Sequence, residues 1–309
     1  MRLIITGGLG HIGSGFLSKI GLLQNLRKII VIDNDLENKK HVLFKLKLKT
    51  QIEFIESNIL SMNLAKIIND GDIIIHFAAI TNAADSFNIK NKLIKNNFLS
   101  TKKLVDLSKK KKINYIFFSS TSVYGSNHKK MLEDDTKNLN PQSPYAECKI
   151  REEKYIQSTS KKNKMNFVIL RLGTIYGASP GMRFHTAVNK FCYQASLNKP
   201  LTIWKTALNQ KRPYLDLNDA IRCIKLIIAK NLFYNDIYNV ITNNITLKDL
   251  ITIIKKYKKI KIKKVSNKIM NQLSYEVSDK KINELGFKPK GNIGLQIKKT
   301  LLLFNGLNL

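Results

Sequence analysis

No stretch of this 309-residue chain approaches the roughly 20 consecutive apolar residues that cross a bilayer, so membrane insertion is not expected. The opening, Met1-Arg2-Leu3-Ile4-Ile5-Thr6-Gly7-Gly8, has no charged segment followed by a long apolar one, which argues against a secretory leader. Cysteine is scarce. Cys148, Cys192 and Cys223 are an odd number without metal-ligand spacing, so the expectation is reduced thiols, no metal site and a cytoplasmic protein. Arginine is scarcer than the charge suggests: of 53 basic residues seven are Arg and 46 are Lys, against 22 acidic residues, for a formal net charge of +31. Nucleic-acid readers rely on Arg forks and aromatic platforms, and neither clusters here. The runs Lys109–Lys112 and Lys255–Lys264 read as solvated helix ends or faces, so no nucleic-acid partner is expected. A positive field still favours an anionic small substrate such as a nucleotide diphosphate.

The composition, 43% hydrophobic and 24% charged, is an ordinary globular mixture, and the length suits one large α/β domain or a larger and a smaller one. Leu3–Thr6, Lys28–Ile32, Ile52–Glu56, Asp72–Phe77, Tyr115–Ser119 and Phe167–Leu172 are short β-rich runs, apolar on both faces as buried parallel strands are. Asn91–Lys110 and Pro144–Ser160 are long enough for crossover helices. Repeated strand–helix–strand units predict a doubly wound parallel sheet, a Rossmann fold. After about Gly177 the pattern changes. Helices are predicted over Phe184–Leu197, Leu217–Lys230, Leu247–Lys258, Asp279–Leu285 and Ile293–Phe304, with strands at Leu201–Trp204 and Ile237–Val240. The reading is a dinucleotide-binding part over 1–177 and a smaller mixed α/β substrate-binding region over 178–309, with residues near 213–240 packing back on the first part.

The first strand runs into Thr6-Gly7-Gly8-Leu9-Gly10-His11-Ile12-Gly13. Gly7, Gly10 and Gly13 are spaced three apart, where a tight turn, close approach of backbone to a pyrophosphate and close helix–strand packing each exclude a side chain. The helix beginning near His11 and Ile12 offers unpaired N–H groups to the diphosphate. The second strand ends at Asp33, twenty residues beyond Gly13. An acid there accepts hydrogen bonds from the adenosine ribose and repels a 2′-phosphate, which favours NAD over NADP.

A serine cluster, Ser119-Ser120-Thr121-Ser122, follows the strand at 115–119, and Tyr145 and Lys149 follow later, four apart on one helical face. A free phenol, with a pKa of about 10, is a poor base at neutral pH. A neighbouring ammonium together with an oxidised nicotinamide stabilises the phenolate. It can then take a hydroxyl proton while hydride leaves the same carbon, with Ser120 bonding the substrate oxygen.

With these motifs the chain resembles the extended short-chain dehydrogenase/reductase family, above all its nucleotide-sugar epimerases, over nearly its whole length. The resemblance implies further contacts. Phe77, Ala78 and Ala79, after His76, line the cofactor; Asn97, near the active site, and Tyr145 and Lys149 are further cofactor contacts; Asn58 and Ile59 reach the adenine, with Asn where the family has Asp. Thr174 stands in the segment leading to the substrate lobe, and Arg212 resembles the arginine that forks the substrate diphosphate. Thr121, Ser122 and Arg183 are further substrate-contact candidates, and His185 is a substrate contact or a packed histidine. The arginine that the family carries near the closing Leu285-Gly286-Phe287 turn is absent from Asn267–Tyr275. A homodimer is implied by the resemblance alone.

Departures narrow the chemistry that the resemblance implies. Family dehydratases place Asp-Glu after the catalytic hydroxyl, and decarboxylases also keep the Glu; Thr121-Ser122 stands there instead. The Cys two residues after the serine in GDP-fucose synthases is Ser122 here. The expectation is an NAD-dependent 4-epimerase acting on a nucleotide-diphosphate sugar through a transient 4-keto sugar. A 4-ketoreductase or a sulfoquinovose-synthase-like enzyme is the alternative, the latter for the likeness of Arg183–Ala195. A non-catalytic dinucleotide sensor is more remote, because Ser120, Tyr145 and Lys149 are all kept.

Overall fold

The computed structural model describes residues 1–23, 25–44, 46, 50–126, 130–163, 165–266 and 274–304. The first half runs β1 (Arg2–Thr6), α1 (His11–Leu17), β2 (Lys28–Asp33), β3 (Gln51–Glu56), β4 (Ile73–His76), α2 (Lys90–Asp106), β5 (Asn114–Ser120), β6 (Lys130–Met131), α3 (Pro144–Ser160) and β7 (Asn166–Leu172). Next come β8 (Thr174–Tyr176), α4 (Ala187–Ser196), β9 (Leu201–Trp204), β10 (Lys211–Asp216), α5 (Leu217–Ala229) and β11 (Asp236–Val240). The chain continues through β12 (Asn243–Thr246), α6 (Leu247–Lys255), β13 (Ile262–Val265), β14 (Glu276–Val277), α7 (Lys280–Glu284) and α8 (Ile293–Leu303).

Seven strands in the order β11-β7-β5-β4-β1-β2-β3 form one sheet, with every pairing parallel. Alternation along each strand feeds two cores. Leu3 and Ile5 of β1 and Ile29 and Val31 of β2 pack with Phe16 of α1 and Ile221 and Ile224 of α5. Ile4, Ile30 and Ile32 point the other way, toward Leu104 and Val105 of α2 and Ile156 of α3. This is a doubly wound α/β sheet. Its strand order reverses between β1 and β4, and the crevice outside the carboxyl ends at such a reversal is where these folds bind ligands.

The smaller elements stand at those carboxyl ends. β12, β10 and β8 form a three-stranded sheet, while β13 pairs with β9 and β14 with β6. Tyr176, Phe191, Tyr214, Leu250 and Ile297 are among the residues of a separate core there. β8 joins the small sheet before Gly177, and α5 and β11 bring residues 217–240 back to the large one. Strands β6, β8, β10, β12, β13 and β14 were not anticipated, and β6 and β14 have only two residues each. β10 contains Pro213, β12 reads Asn-Asn-Ile-Thr, and β13 is largely exposed, so none has the apolar pattern that marks a strand locally. Residues 255, 256, 259 and 261–264 are exposed, as expected for that lysine run. All three cysteines are buried free thiols. No helix among the described residues is long and apolar enough to cross a membrane.

Candidate active site

β1 ends at Thr6 and the chain turns at Gly7 with φ +71°, a left-handed value. A Cβ on Gly7 would stand 2.4 Å from the Ala78 backbone nitrogen, and one on Gly13 would stand 2.5 Å from the Gly7 carbonyl oxygen. The loop is therefore packed against the end of β4 and leaves no room for a side chain at either position. Asp33 closes β2 and ties it to the loop: Oδ2 accepts from Leu9 N–H at 3.0 Å and Oδ1 from Asp35 N–H at 3.0 Å. Burial pushes its carboxyl pKa up, and the Leu9 and Asp35 N–H groups pull the other way.

Gly7, Gly10 and Asp33 open onto a cleft of about 320 Å³ that also reaches Asn58, Ile59 and Phe77–Ala79. The Asn58 Oδ1 is engaged by Leu60 N–H at 2.9 Å, so this side chain also shapes its own loop. Asn97 stands behind the cleft. It is buried, its Nδ2 donates to Ile80 O at 2.9 Å, and its Oδ1 accepts from Ile80 N–H at 2.8 Å. Asn97 is fully buried and lines neither cleft, so the expected direct cofactor contact gives way to bracing of the loop after β4.

A second cleft of about 320 Å³ continues past Gly10, His11, Ile12 and Gly13 to the carboxyl end of β5 and the start of α3. Ser120, Thr121, Ser122, Tyr145 and Lys149 all line it. Local chemistry starts α3 where it does: Ser143 Oγ accepts from Ala146 N–H at 3.2 Å, and Pro144 occupies the first turn. One turn on, the Lys149 Nζ lies 5.9 Å from the Tyr145 ring centre and 4.5 Å from that of Phe117. Ser120 Oγ accepts from Ser122 N–H at 3.2 Å and from Ser122 Oγ at 2.9 Å, which leaves its own O–H to donate. Burial pushes the Tyr145 phenol above its ordinary pKa, although Lys149 and Arg183 pull it down. The lowered phenol expected from the Tyr/Lys spacing is therefore not a property of the protein alone; burial outweighs the ammonium.

The same cleft reaches Thr174, Arg183 and Arg212. Arg183 donates to Thr81 Oγ1 and lies 3.4 Å from where a Cβ on Gly10 would stand, so it faces the glycine loop as well as the substrate side. Arg212 donates to Gln210 Oε1 at 3.3 Å and lies 5.9 Å from the Trp204 ring, beside an adjoining pocket of about 180 Å³. The connection after β8 is strapped across the loop. Burial pulls the His11 pKa down to about 4, so its ring is neutral and its Nε2 donates to Gly177 O at 2.8 Å. Ser14 Oγ accepts from Gly181 N–H at 2.9 Å.

Trp204, Tyr214, Tyr275 and Thr81 also line the second cleft, and none was anticipated. Tyr275 O–H is 3.3 Å from Thr121 Oγ1 across 154 residues of sequence, a pairing without a local signal. Of the stretch 267–275, searched for an arginine, residues 267–273 lie outside the described residues. His185 lines all three cavities.

Residues 3–240 match the NAD dependent epimerase/dehydratase family. A dTDP-D-glucose 4,6-dehydratase of Dictyostelium discoideum is 32% identical over 264 residues, covering 78% of this chain and 58% of that protein, so the chain spans less than two thirds of that relative. The dTDP-D-glucose 4,6-dehydratase of Homo sapiens is 27% identical over 317 residues, with 97% and 89% covered. Among solved structures, a UDP-glucuronic acid 4-epimerase from Bacillus cereus, in complex with UDP-glucuronic acid and NAD, superposes with a TM-score of 0.86 at 25% identity, over 98% of this chain and 99% of that one. The packed glycine loop, the Asp33 carboxylate at the end of β2 and the long double cleft fit a dinucleotide. The chain belongs to the NAD-dependent epimerase/dehydratase family, and NAD is its cofactor.

Proposed function

We propose that this chain epimerises a nucleotide-diphosphate sugar at C4, through a transient 4-keto sugar. One observation carries the reading: no Asp, Glu or Cys lines the cleft around Tyr145 among the described residues. Eliminating water next to a new ketone needs a carboxylate there, and inverting a carbon beside the ketone needs a further acid or base. Inversion at C4 needs neither. It requires one proton acceptor, a hydride carrier and room for the keto-sugar to present its other face.

In this scheme Tyr145, held as the phenolate by the Lys149 ammonium, takes the proton of the C4 hydroxyl and becomes the neutral phenol. Ser120 donates a hydrogen bond to the same oxygen. NAD supplies hydride acceptance and return, and its positive ring supplies the charge that a buried phenol requires. Asp33 holds the adenosine ribose. Arg212 forks the substrate diphosphate, and Thr121, Ser122 and Thr174 contact the sugar. The cations Arg183 and Arg212, without opposing carboxylates in the lining, suit a substrate of this charge.

The test incubates NAD-loaded protein with UDP-glucose, UDP-galactose, UDP-glucuronic acid and dTDP-glucose, and resolves the products by NMR. A pair of C4 epimers at equilibrium without added NADH is expected. Loss of water from the sugar, or turnover only with stoichiometric NADH, would replace the reading by a dehydratase or a ketoreductase. Tyr145→Phe is expected to abolish turnover while NAD binding persists; near-normal activity would remove Tyr145 as the proton acceptor.

A further inference from the structure

Glu152 has no part in the scheme above, yet it sits against the centre of it. It follows Lys149 by three residues on α3, so the two side chains share a face. They are 1% and 2% exposed, and the Glu152 Oε2 is 3.0 Å from the Lys149 Nζ. Its Oε1 accepts from Thr101 Oγ1 of α2 at 2.6 Å, which fixes the carboxylate from the neighbouring helix. Glu153, next in the chain, serves a different partner: its Oε2 is 2.7 Å from Arg171 of β7. Glu153 thus ties α3 to β7, together with the apolar packing of Ile156. A carboxylate out of water is costly unless paired, and here the pairing is directed at the one lysine that the chemistry uses.

We propose that Glu152 is a positioning residue for the reaction: it anchors the Lys149 ammonium and offsets part of that charge at Tyr145, making the unit a triad of Tyr145, Lys149 and Glu152. The proposal rests on Tyr145 being the proton acceptor. An epimerase must take a proton from an oxygen and return it to the same oxygen, so its base works best with a balanced proton affinity. An uncompensated ammonium would hold the phenolate too firmly for it to take the substrate proton in the first step. The other titratable groups facing this unit are Cys148 on α3, His76 on β4, Tyr115 on β5, Arg183 from the connection after β8, and Tyr275. Burial holds His76 neutral, its pKa pulled down to about 3. Glu152 is then the negative group in contact with Lys149.

The test is a pH titration of tyrosinate absorbance on the NAD-loaded protein, with the Tyr145→Phe trace subtracted to isolate Tyr145. Glu152→Gln is expected to lower the Tyr145 midpoint by on the order of one pH unit. Glu152→Asp, which keeps the charge, is expected to restore it. A purely structural Glu152 would lower the melting temperature and leave the midpoint in place, and coincident midpoints for Glu152→Gln and wild type would overturn the proposal. Should Glu152→Gln fail to fold, Thr101→Val removes the O–H that tempers the carboxylate. The midpoint should then rise, and an unmoved one would overturn the proposal equally. Full turnover by Tyr145→Phe would instead bring down the underlying reading of Tyr145.

Discussion

Replacing Asp33 by Asn tests the cofactor end without removing bulk. A carboxylate offers roughly four acceptor positions. At least two are used inside the protein, by Leu9 N–H and Asp35 N–H, each at 3.0 Å, and the Asn34 N–H also bears on the carboxylate. The remainder are available to ribose hydroxyls. Asn keeps one acceptor oxygen but turns an NH2 group toward the other donor, and it loses the charge. A hydrogen bond to a charged acceptor is worth about 1.5–3 kcal/mol, against about 0.5–1.5 for a neutral one. Losing one such ribose contact, or weakening two, costs about 1–3 kcal/mol, a fall in NAD affinity of roughly 5- to 150-fold. NADP behaves differently, because its 2′-phosphate is repelled by Asp33 in the wild type and that repulsion is gone in the variant. Titration calorimetry with both cofactors separates the contributions. NAD affinity should fall while NADP affinity holds or rises, so that the preference collapses by at least the NAD loss. If the variant merely loosened the glycine loop, both affinities would fall in parallel. A parallel fall, or no change in either, refutes the assignment of Asp33 to the ribose.

Two further predictions concern what holds the site in place. Arg171 and Glu153 are 1% and 3% exposed and joined by two bonds, at 3.0 and 2.7 Å, so Arg171→Leu strands a buried carboxylate and should cost about 3–5 kcal/mol in urea unfolding. Adding Glu153→Leu should recover much of that loss, and a double variant as weak as the single one would contradict the ion-pair account. Alongside His76 and His185, whose pKa values desolvation also lowers, His11 supplies part of the pH dependence. Its folded pKa is pulled by burial from 6.5 to about 4, so between those values the unfolded chain carries a proton that the folded one lacks. Stability from this residue is complete above about pH 6.5 and is lost as pH falls toward 4, with a slope of about 1.4 kcal/mol per unit. His11→Gln keeps an N–H donor for Gly177 O and removes the titration, so urea unfolding across pH 6 to 5 should show a shallower dependence; an unchanged slope would rule His11 out as its source.

What was legible in the sequence follows from how local each constraint is. The glycine loop, Asp33 and the Tyr145/Lys149 pair are set by spacings within one turn or one βαβ unit, and each could be placed before any contact was known. The strands of the large sheet were legible for the same reason, since burial on both faces leaves near-continuous apolar runs. The substrate side obeys no such rule. β10 carries Pro213 and β12 is polar, and they become strands only by pairing with each other and with β8. Thr121 meets Tyr275, His11 meets Gly177 and Arg183 meets Thr81, over separations of 154, 166 and 102 residues. These contacts close the clefts on each other, and no spacing along the chain encodes them.

Glu152 and Asn97 lie between the two cases. Each sits on a helix whose existence was expected, but its role depends on what the neighbouring element presents. Asn97 faces the Ile80 backbone, so a residue read as touching cofactor builds the wall instead. Glu152 faces Thr101 and Lys149, so a charged residue without a local sequence signal is buried against the lysine proposed for the chemistry. The packing of α2 on α3 decides both. Within this fold the identities of the reacting groups are local, and their proton affinities are tertiary. Substitutions along that helix pair should therefore change how the chemistry depends on pH before they change which residues perform it.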